Sequence, residues 1–132
     1  MRVKLCLAMV VLLVSACSEE LSVEQQIIAT LRAMEYAAED GDHFEFISHV
    51  ADTFRGQQES MSRQDFHRFM ILQINQHRRL QGQFFPIFVT ETSEASATAN
   101  FKILVTGGGG LLPDRGRMFQ VETGWVRDGG DW

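Results

Sequence analysis

The sequence has few residues that cross-link or interrupt a chain: two cysteines, two prolines and one tyrosine among 132 residues. Both cysteines, Cys6 and Cys17, lie within the first seventeen residues, so residues 18–132 contain no thiol that could form a disulfide. The fold of that segment must therefore be stabilised by packing and hydrogen bonds, without the cross-links that are common in small secreted domains.

Basic residues and metal-ligand motifs are also scarce. The chain carries 12 Lys and Arg against 17 Asp and Glu, a net charge of −5 at pH 7. A surface that binds a nucleic-acid backbone needs clustered basic residues, and the sequence has no long cluster of them. It also has no His-Glu-x-x-His, paired-cysteine or His-x-His spacing. We therefore predict no nucleic-acid partner, no resident metal and no cofactor.

The N-terminal segment has the pattern of a secretory signal. Arg2 and Lys4 supply positive charge, residues 5–13 form an apolar run, and small residues follow. The run is too short to span a bilayer, because a spanning helix needs about 20 apolar residues. Residues 1–16 are therefore predicted to be a cleaved signal peptide. Its removal would leave 116 residues, enough for one domain with a core, and a net charge of −7.

The end of this segment reads Val14-Ser15-Ala16-Cys17, which resembles the lipobox of bacterial lipoproteins. The resemblance implies cleavage before Cys17, lipidation of its thiol and new amino group, and anchoring in the bacterial cell envelope. Two or more acyl chains give stable membrane attachment. Ser18 follows the cysteine, which in such lipoproteins implies the outer membrane, facing the periplasm. Residues 17–21 would then be a lipidated tether. The alternative is an ordinary signal peptide with an incidental cysteine.

Three segments after the tether have helical spacing. Ser22 and Gln25 form a capping-box sequence, and Gly41 is suited to end the first helix. Asp42 begins a second helix, and Ser62 with Asp65 begins a third that runs to about Arg79. The predicted buried faces are Ile27, Leu31, Met34 and Ala38 in the first helix, Phe44, Ile47, Val50 and Ala51 in the second, and Phe66, Phe69, Met70, Ile74 and Leu80 in the third.

The second half of the chain has the alternating pattern of strands. Strands are predicted at residues 84–92, 94–106 and 117–126, with Pro86 indicating an edge or a bulge and residues 107–116 forming a long loop. A short strand or turn is predicted at residues 52–56. Helices followed by an antiparallel meander indicate an α+β fold with helices on one face of the sheet.

The order of these elements resembles the NTF2-like superfamily, also called SnoaL-like or the cystatin-like cone. Phe54-Arg55-Gly56 lies between the second and third helices, and residues 125–132 (WVRDGGDW) are similar to the closing hairpin of that fold. The resemblance covers residues 22–132 and implies three N-terminal helices packed on a curved antiparallel sheet. Family members continue past the second tryptophan, so the last strand is expected to be cut short here.

The apolar sector of the third helix carries the candidate pocket residues. His77 lies one turn beyond Ile74 with Gln73 beside it, and Phe66 and Met70 share the sector. A polar pair on an apolar stripe could orient a small hydrophobic ligand, so we predict that Phe66, Met70, Gln73 and His77 line a pocket. The alternative is that Gln73 and His77 are satisfied by backbone or water near the helix end. His43, in a helix's first turn, and His67, at the sector's edge, are weaker candidates.

The resemblance leaves the function open, because one fold can host many activities. An isomerase-type site needs a buried carboxylate, and the sequence places none clearly on a core-facing position, Glu35 being the nearest exception. We therefore assign no catalytic residue and expect a non-catalytic module that binds a small molecule or a protein. The alternative is a SnoaL-like isomerase, dehydratase or hydrolase acting on a small hydrophobic compound. A homodimer formed through the open sheet face is a third possibility.

Overall fold

A computed structural model describes residues 19–76, 81–106 and 117–132 of the chain. The described elements, in order, are helices α1 (Val23–Asp40) and α2 (His43–Ser48), the short strands β1 (Arg55–Gly56) and β2 (Met61–Ser62), helix α3 (Arg63–Gln76), and the long strands β3 (Gln81–Ser93), β4 (Ser96–Thr106) and β5 (Arg117–Val126). The cysteine at position 17 and the loop at 107–116 lie outside the described residues.

Local sequence signals set both ends of α1. The Ser22 hydroxyl accepts from the Gln25 backbone N–H at 3.2 Å, and the Gln25 side chain accepts from the Ser22 N–H at 3.0 Å. Gly41 ends the helix in the left-handed conformation, with φ of 77°. Its N–H and that of Asp42 donate to the carbonyls of Ala38 and Ala37. The predicted capping box and glycine cap are both confirmed.

Strands β3, β4 and β5 form an antiparallel sheet in that order. Side chains alternate between its two faces. The first, the α1 face, carries the residues that pack against the core: Phe84, Ile87 and Val89 on β3, Ala97, Ala99, Phe101 and Ile103 on β4, and Val121 and Trp125 on β5. The second, the outer face, includes Phe85, Phe88, Lys102 and Met118. The register shifts between Phe85 and Phe88, which confirms the irregularity predicted at Pro86.

The core lies where α1 crosses this sheet. Ile27 and Leu31 of α1 are 0% and 3% exposed, and they pack with Ala97, Ala99, Phe101 and Trp125. Alanines at two core positions of β4 allow the helix to approach the strands closely, and the larger residues fill the space on either side. This contact confirms the predicted α+β architecture with helices packed on one face of an antiparallel sheet.

The predicted buried face of α2 is only partly correct. Ile47 is buried as predicted, but Phe44 is 71% exposed and Phe46 is buried instead. The helix has six residues and ends at Ser48. Val50 and Ala51 therefore lie beyond it and cannot continue its stripe. A helix this short presents one turn and a half, so helical spacing is a weak guide to which side chains are buried.

Helix α3 packs less deeply than the sequence predicts. None of its described residues, Arg63–Gln76, is fully buried, and Phe69 and Leu72 are 45% and 57% exposed. The helix contacts α2 and the β1–β2 hairpin. Its predicted continuation to Arg79 and the predicted burial of Leu80 fall outside the described residues. After β5 the described chain forms one isolated bridge, between Asp128 and Asp131.

No helix in the described part of the chain is both long and apolar enough to cross a membrane.

Candidate functional site

One end of the α1 face leaves apolar side chains partly uncovered. Phe119 lies on β5 two residues from Val121, so the two side chains share a face. Its cross-strand partner is Ile103, whose partner on β3 is Phe84. Phe84 stacks on Phe101 with ring centroids 5.1 Å apart, yet Phe119 remains 48% exposed. This row forms an accessible apolar surface beside the core.

The pocket residues predicted on the third helix have different environments. The Phe66 ring stacks on Phe54 at a centroid distance of 5.0 Å and lies 5.8 Å from Phe46. It therefore connects α3 to α2 and to the start of β1. Met70 and Gln73 are partly buried on the same helix. His77 lies outside the described residues. The pocket formed by Phe66, Met70, Gln73 and His77 remains a prediction.

A separate polar groove of about 470 Å³ lies between the segment that follows α2, the antiparallel pair of strands β1 and β2, and α3. It is lined by Asp52, Arg55, Ser62, Arg63, Gln64 and His67. The Arg63 guanidinium donates to the carbonyls of Val50 and Ile47, both at 2.8 Å. The Arg55 guanidinium donates to the Phe54 carbonyl at 2.7 Å. Both arginines therefore bind backbone carbonyls, and Arg63 ties α3 to the end of α2.

Two histidines meet at the edge of this groove. His43 Nδ1 and His67 Nε2 are 2.9 Å apart and form a partly buried hydrogen bond between α2 and α3. The exposed Phe44 ring lies 4.2 Å from the His43 ring and 5.8 Å from the His67 ring. The sequence predicted no contact between these two histidines, which it indicated only as separate, weaker candidates. They are 24 residues apart on different helices, and only the packing of those helices brings them together.

The carboxylate that begins α3 is stabilised in its charged form. Hydrogen bonds from the Ser62 hydroxyl and the Ser62 backbone N–H lower the pKa of Asp65 below its ordinary value of 3.8, with a further contribution from the positive charge of Arg68. Asp65 Oδ2 is 2.7 Å from Ser62 Oγ. The cap predicted for the third helix, Ser62 with Asp65, is thereby confirmed and fixes the start of α3.

The described residues contain no buried polar or charged side chain, and no group of three or more histidine, cysteine, aspartate or glutamate side chains placed to hold a metal ion. The two regions differ in chemistry. The surface formed by Phe84, Ile103 and Phe119 is apolar, whereas the groove that His67 lines is polar and open to solvent.

Solved structures with the same architecture show the fold. A candidate dehydratase from the NTF2-like family of Streptomyces avermitilis aligns with a TM-score of 0.67 at 19% identity, over 83% of this chain and 88% of that one. A protein of unknown function with a cystatin-like fold, from Nostoc punctiforme, gives 0.64 at 12% identity, over 86% and 88%. A candidate scytalone dehydratase from Novosphingobium aromaticivorans gives 0.62 at 13%, over 81% and 75%.

These likenesses show that the chain has the NTF2-like, cystatin-like fold, as its sequence predicted. At such low identity they show the fold alone. No family model matches the sequence, and no curated protein matches it.

Proposed function

We propose that the chain is a lipid-anchored protein of the bacterial cell envelope whose NTF2-like domain binds a small hydrophobic molecule without transforming it. The observation that carries the binding proposal is the 48% exposure of Phe119 on the α1 face, beside Ile103 and the core. A large aromatic side chain on the core face of a sheet, left half uncovered, supplies one wall of an apolar binding site.

The free energy gained by covering the exposed part of Phe119 is large enough to contribute to ligand binding. A phenylalanine buries about 150–250 Å² when fully covered, so covering the exposed half of Phe119 removes about 100 Å² from water. At about 25 cal/mol per Å² this contributes about 2.5 kcal/mol before the costs of association are subtracted. Contacts to Ile103 and Phe84 would add to it.

Native mass spectrometry of residues 18–132, prepared without detergent, tests the binding proposal. We expect a co-purifying compound with a mass on the order of a few hundred daltons, the size that pockets of this kind hold. Met118 and Phe119 are adjacent on β5, point to opposite faces and are 55% and 48% exposed, so they provide matched variants. Phe119→Ser should lose the compound and Met118→Ser should keep it. Equal loss in both variants, or no compound in the parent protein, would contradict the proposal.

The lipobox resemblance at Val14-Ser15-Ala16-Cys17 supports the anchor. Diacylglycerol on the Cys17 thiol and a fatty acyl group on its amino nitrogen would hold the domain near the membrane through the short tether at 17–21. Incorporation of labelled palmitate should be abolished in Cys17→Ser and unchanged in Cys6→Ser. Equal labelling of the parent protein and Cys17→Ser would disprove lipidation at this residue.

The second candidate function is an enzyme acting on a small hydrophobic compound. Two solved proteins with this fold are candidate dehydratases, and Gln73 with His77 would supply the polar groups of such a site. Incubating the protein with its co-purified compound and recording the compound's mass separates the two functions. Loss of the mass of one water, abolished by His77→Ala or Gln73→Ala, would replace the binding proposal with a dehydratase.

The exposed apolar residues of the outer face support a third candidate function, which is binding of a protein partner. The partner would be either a second copy of this chain or another protein. Phe85, Phe88, Met118 and Val126 are 41–65% exposed there. Sedimentation at several concentrations should show a reversible dimer that Phe88→Ser weakens. Phe44→Ser, which changes an aromatic residue of similar exposure on α2, should leave the association unchanged. A monomer at all concentrations would exclude the homodimer.

A further inference from the structure

The hydrogen bond between His43 and His67 can persist in only some protonation states. A bond between two imidazole rings needs one nitrogen that donates and one that has a free lone pair. A neutral pair satisfies this, and so does a pair that carries one extra proton. When both rings are protonated, both facing nitrogens are donors, and the bond of 2.9 Å is replaced by two positive charges at close range.

Among the described residues, no carboxylate forms an ion pair with His43 or His67. On the α2 side, the Asp42 carboxylate accepts from the Glu45 N–H at 3.0 Å, and the Glu45 carboxylate lies 3.1 Å from His49. On the groove side, His67 shares its walls with Arg55, Arg63 and Asp52. Asp52 is 3.8 Å from Arg63, and its side chain is 99% exposed. Two guanidinium groups and one hydrated carboxylate therefore line the groove together with His67, and they give it a net positive charge.

Helix α3 depends on few contacts, so the loss of one bond affects it strongly. None of its described residues is fully buried. Its ties to α2 include the His43–His67 bond, the Phe66–Phe46 contact at 5.8 Å, and the hydrogen bonds from Arg63 to Ile47 and Val50. A helix with so little buried apolar surface opens locally at low cost in free energy.

We propose that the His43–His67 pair is a pH-sensitive link that holds α3 against α2 at neutral pH and releases it at mildly acidic pH. Protonation of the second ring is the switching event, and the seam between α2 and α3 is the element that it destabilises. This inference concerns the protein alone and does not depend on the proposed ligand.

The strength of the effect follows from the geometry. In water, two unit charges about 3 Å apart repel by an amount that corresponds to about a tenfold change in an equilibrium constant. The opening equilibrium of α3 should therefore rise about tenfold when both rings are charged. The cap at Asp65 does not confuse this result, because the hydrogen bonds from Ser62 keep the pKa of that carboxyl below 3.8 and the cap stays ionised at pH values where imidazole titrates.

Hydrogen–deuterium exchange of the full chain, purified in a mild detergent, tests the link directly. Exchange is compared at about pH 7.5 and about pH 5, which spans the ordinary imidazole titration. After correction for the intrinsic pH dependence of exchange, the amides of α3 should lose about tenfold in protection. Those of α1, whose core residues lie away from the pair, serve as the internal reference.

Three variants assign the effect to the pair. His43→Gln and His67→Gln each leave a neutral side chain that can donate and accept, so both should abolish the pH response of α3. His49→Gln is the matched control, because His49 follows α2 but bonds within its own segment to Glu45. It should respond as the parent protein does. A pH response of α3 that persists in both pair variants, or is lost in His49→Gln, would overturn the proposal, as would equal protection of α3 at both pH values in the parent protein.

Discussion

The Trp132 indole Nε1 donates a hydrogen bond of 3.1 Å to the Gln26 side-chain oxygen, 106 residues earlier in the chain. The indole also packs against the core cluster, and the Arg127 guanidinium lies 5.1 Å from its ring centroid. This contact joins the turn after β5 to the first turn of α1. It shows that the tryptophan singled out in the sequence by its resemblance to a closing hairpin contributes to the core.

Two substitutions of Trp132 should distinguish how much its packing and its hydrogen bond each contribute to the stability of the protein. Replacement of a fully buried tryptophan by alanine costs about 3–5 kcal/mol, and for the partly buried Trp132 we expect about 2 kcal/mol from Trp132→Ala. Trp132→Phe keeps most of the packing and loses the bond to Gln26, which should cost about 1 kcal/mol. Urea denaturation monitored by circular dichroism measures both. Equal losses in the two variants would show that the indole contributes its hydrogen bond alone.

Much of the sheet and of α1 could be predicted from the sequence because local signals determine them. Strand alternation places Ala97, Ala99 and Phe101 on one face of β4, and a period of two allows only two assignments of the buried face. The caps at Ser22 and Gly41 likewise follow from side-chain and backbone chemistry within five residues. For these elements the tertiary fold agrees with the local preference.

The environment of α2 and α3 could not be predicted in the same way. Phe44 and Phe69 are apolar residues at helical spacing, yet they are 71% and 45% exposed. The spacing identifies a stripe on each helix, but the contact that covers the stripe depends on how the two helices cross. The His43–His67 bond depends on that crossing as well. Local sequence holds no information on an angle between elements that are joined by two short strands.

Gly41 should tolerate no L-residue without cost, because its φ is 77°. A Cβ added there would lie 3.7 Å from Ile74 Cγ2, an ordinary contact, so the cost of Gly41→Ala is backbone strain rather than a collision. We expect Gly41→Ala to destabilise the fold by about 1–2 kcal/mol, and Gly41→Asn by less. Thermal unfolding followed by circular dichroism measures these changes.

Gly124 supplies the matched control for Gly41. It lies within β5 at an ordinary φ, and an added Cβ would meet nothing within 4 Å. Gly124→Ala should therefore be neutral or should stabilise the protein by about 0.5–1 kcal/mol, because alanine restricts the unfolded chain. A destabilisation by Gly124→Ala as large as that by Gly41→Ala would show that the effect at Gly41 does not come from its backbone conformation.

The lowered pKa of Asp65 predicts how the stability of the folded protein changes at acidic pH. Because the pKa of Asp65 is lower in the folded protein than its ordinary value of 3.8, its contribution to stability is complete above pH 3.8 and is lost as the pH falls through the folded-state pKa. Ser62→Ala removes the hydroxyl bond, the largest cause of the shift. Carbon-detected NMR titration of the carboxyl should show the Asp65 pKa rising toward its ordinary value in Ser62→Ala. An unchanged midpoint would show that the backbone N–H of Ser62 and the charge of Arg68 alone account for the lowered pKa.

Arg63 should be hard to replace even by lysine, because two of its nitrogens donate to carbonyls on either side of the end of α2. The Nε–Val50 and Nη2–Ile47 distances are both 2.8 Å, and the side chain is 33% exposed. A lysine ammonium is a single point donor that cannot match this fork, so one carbonyl loses its charged partner. We expect Arg63→Lys to destabilise the protein by about 1–2 kcal/mol in urea denaturation.

Arg68 provides the comparison for this substitution on the same helix. Its guanidinium is 66% exposed and lies 3.7 Å from Asp65, so it makes only a surface ion pair. Arg68→Lys should change stability by less than about 0.5 kcal/mol. Exchange at the amides of α2 should rise in Arg63→Lys and stay constant in Arg68→Lys, because Arg63, and not Arg68, donates to the carbonyls at the end of α2. If Arg63→Lys changed stability as little as Arg68→Lys, the positive charge that both substitutions retain, rather than the bidentate contact, would be what joins these helices.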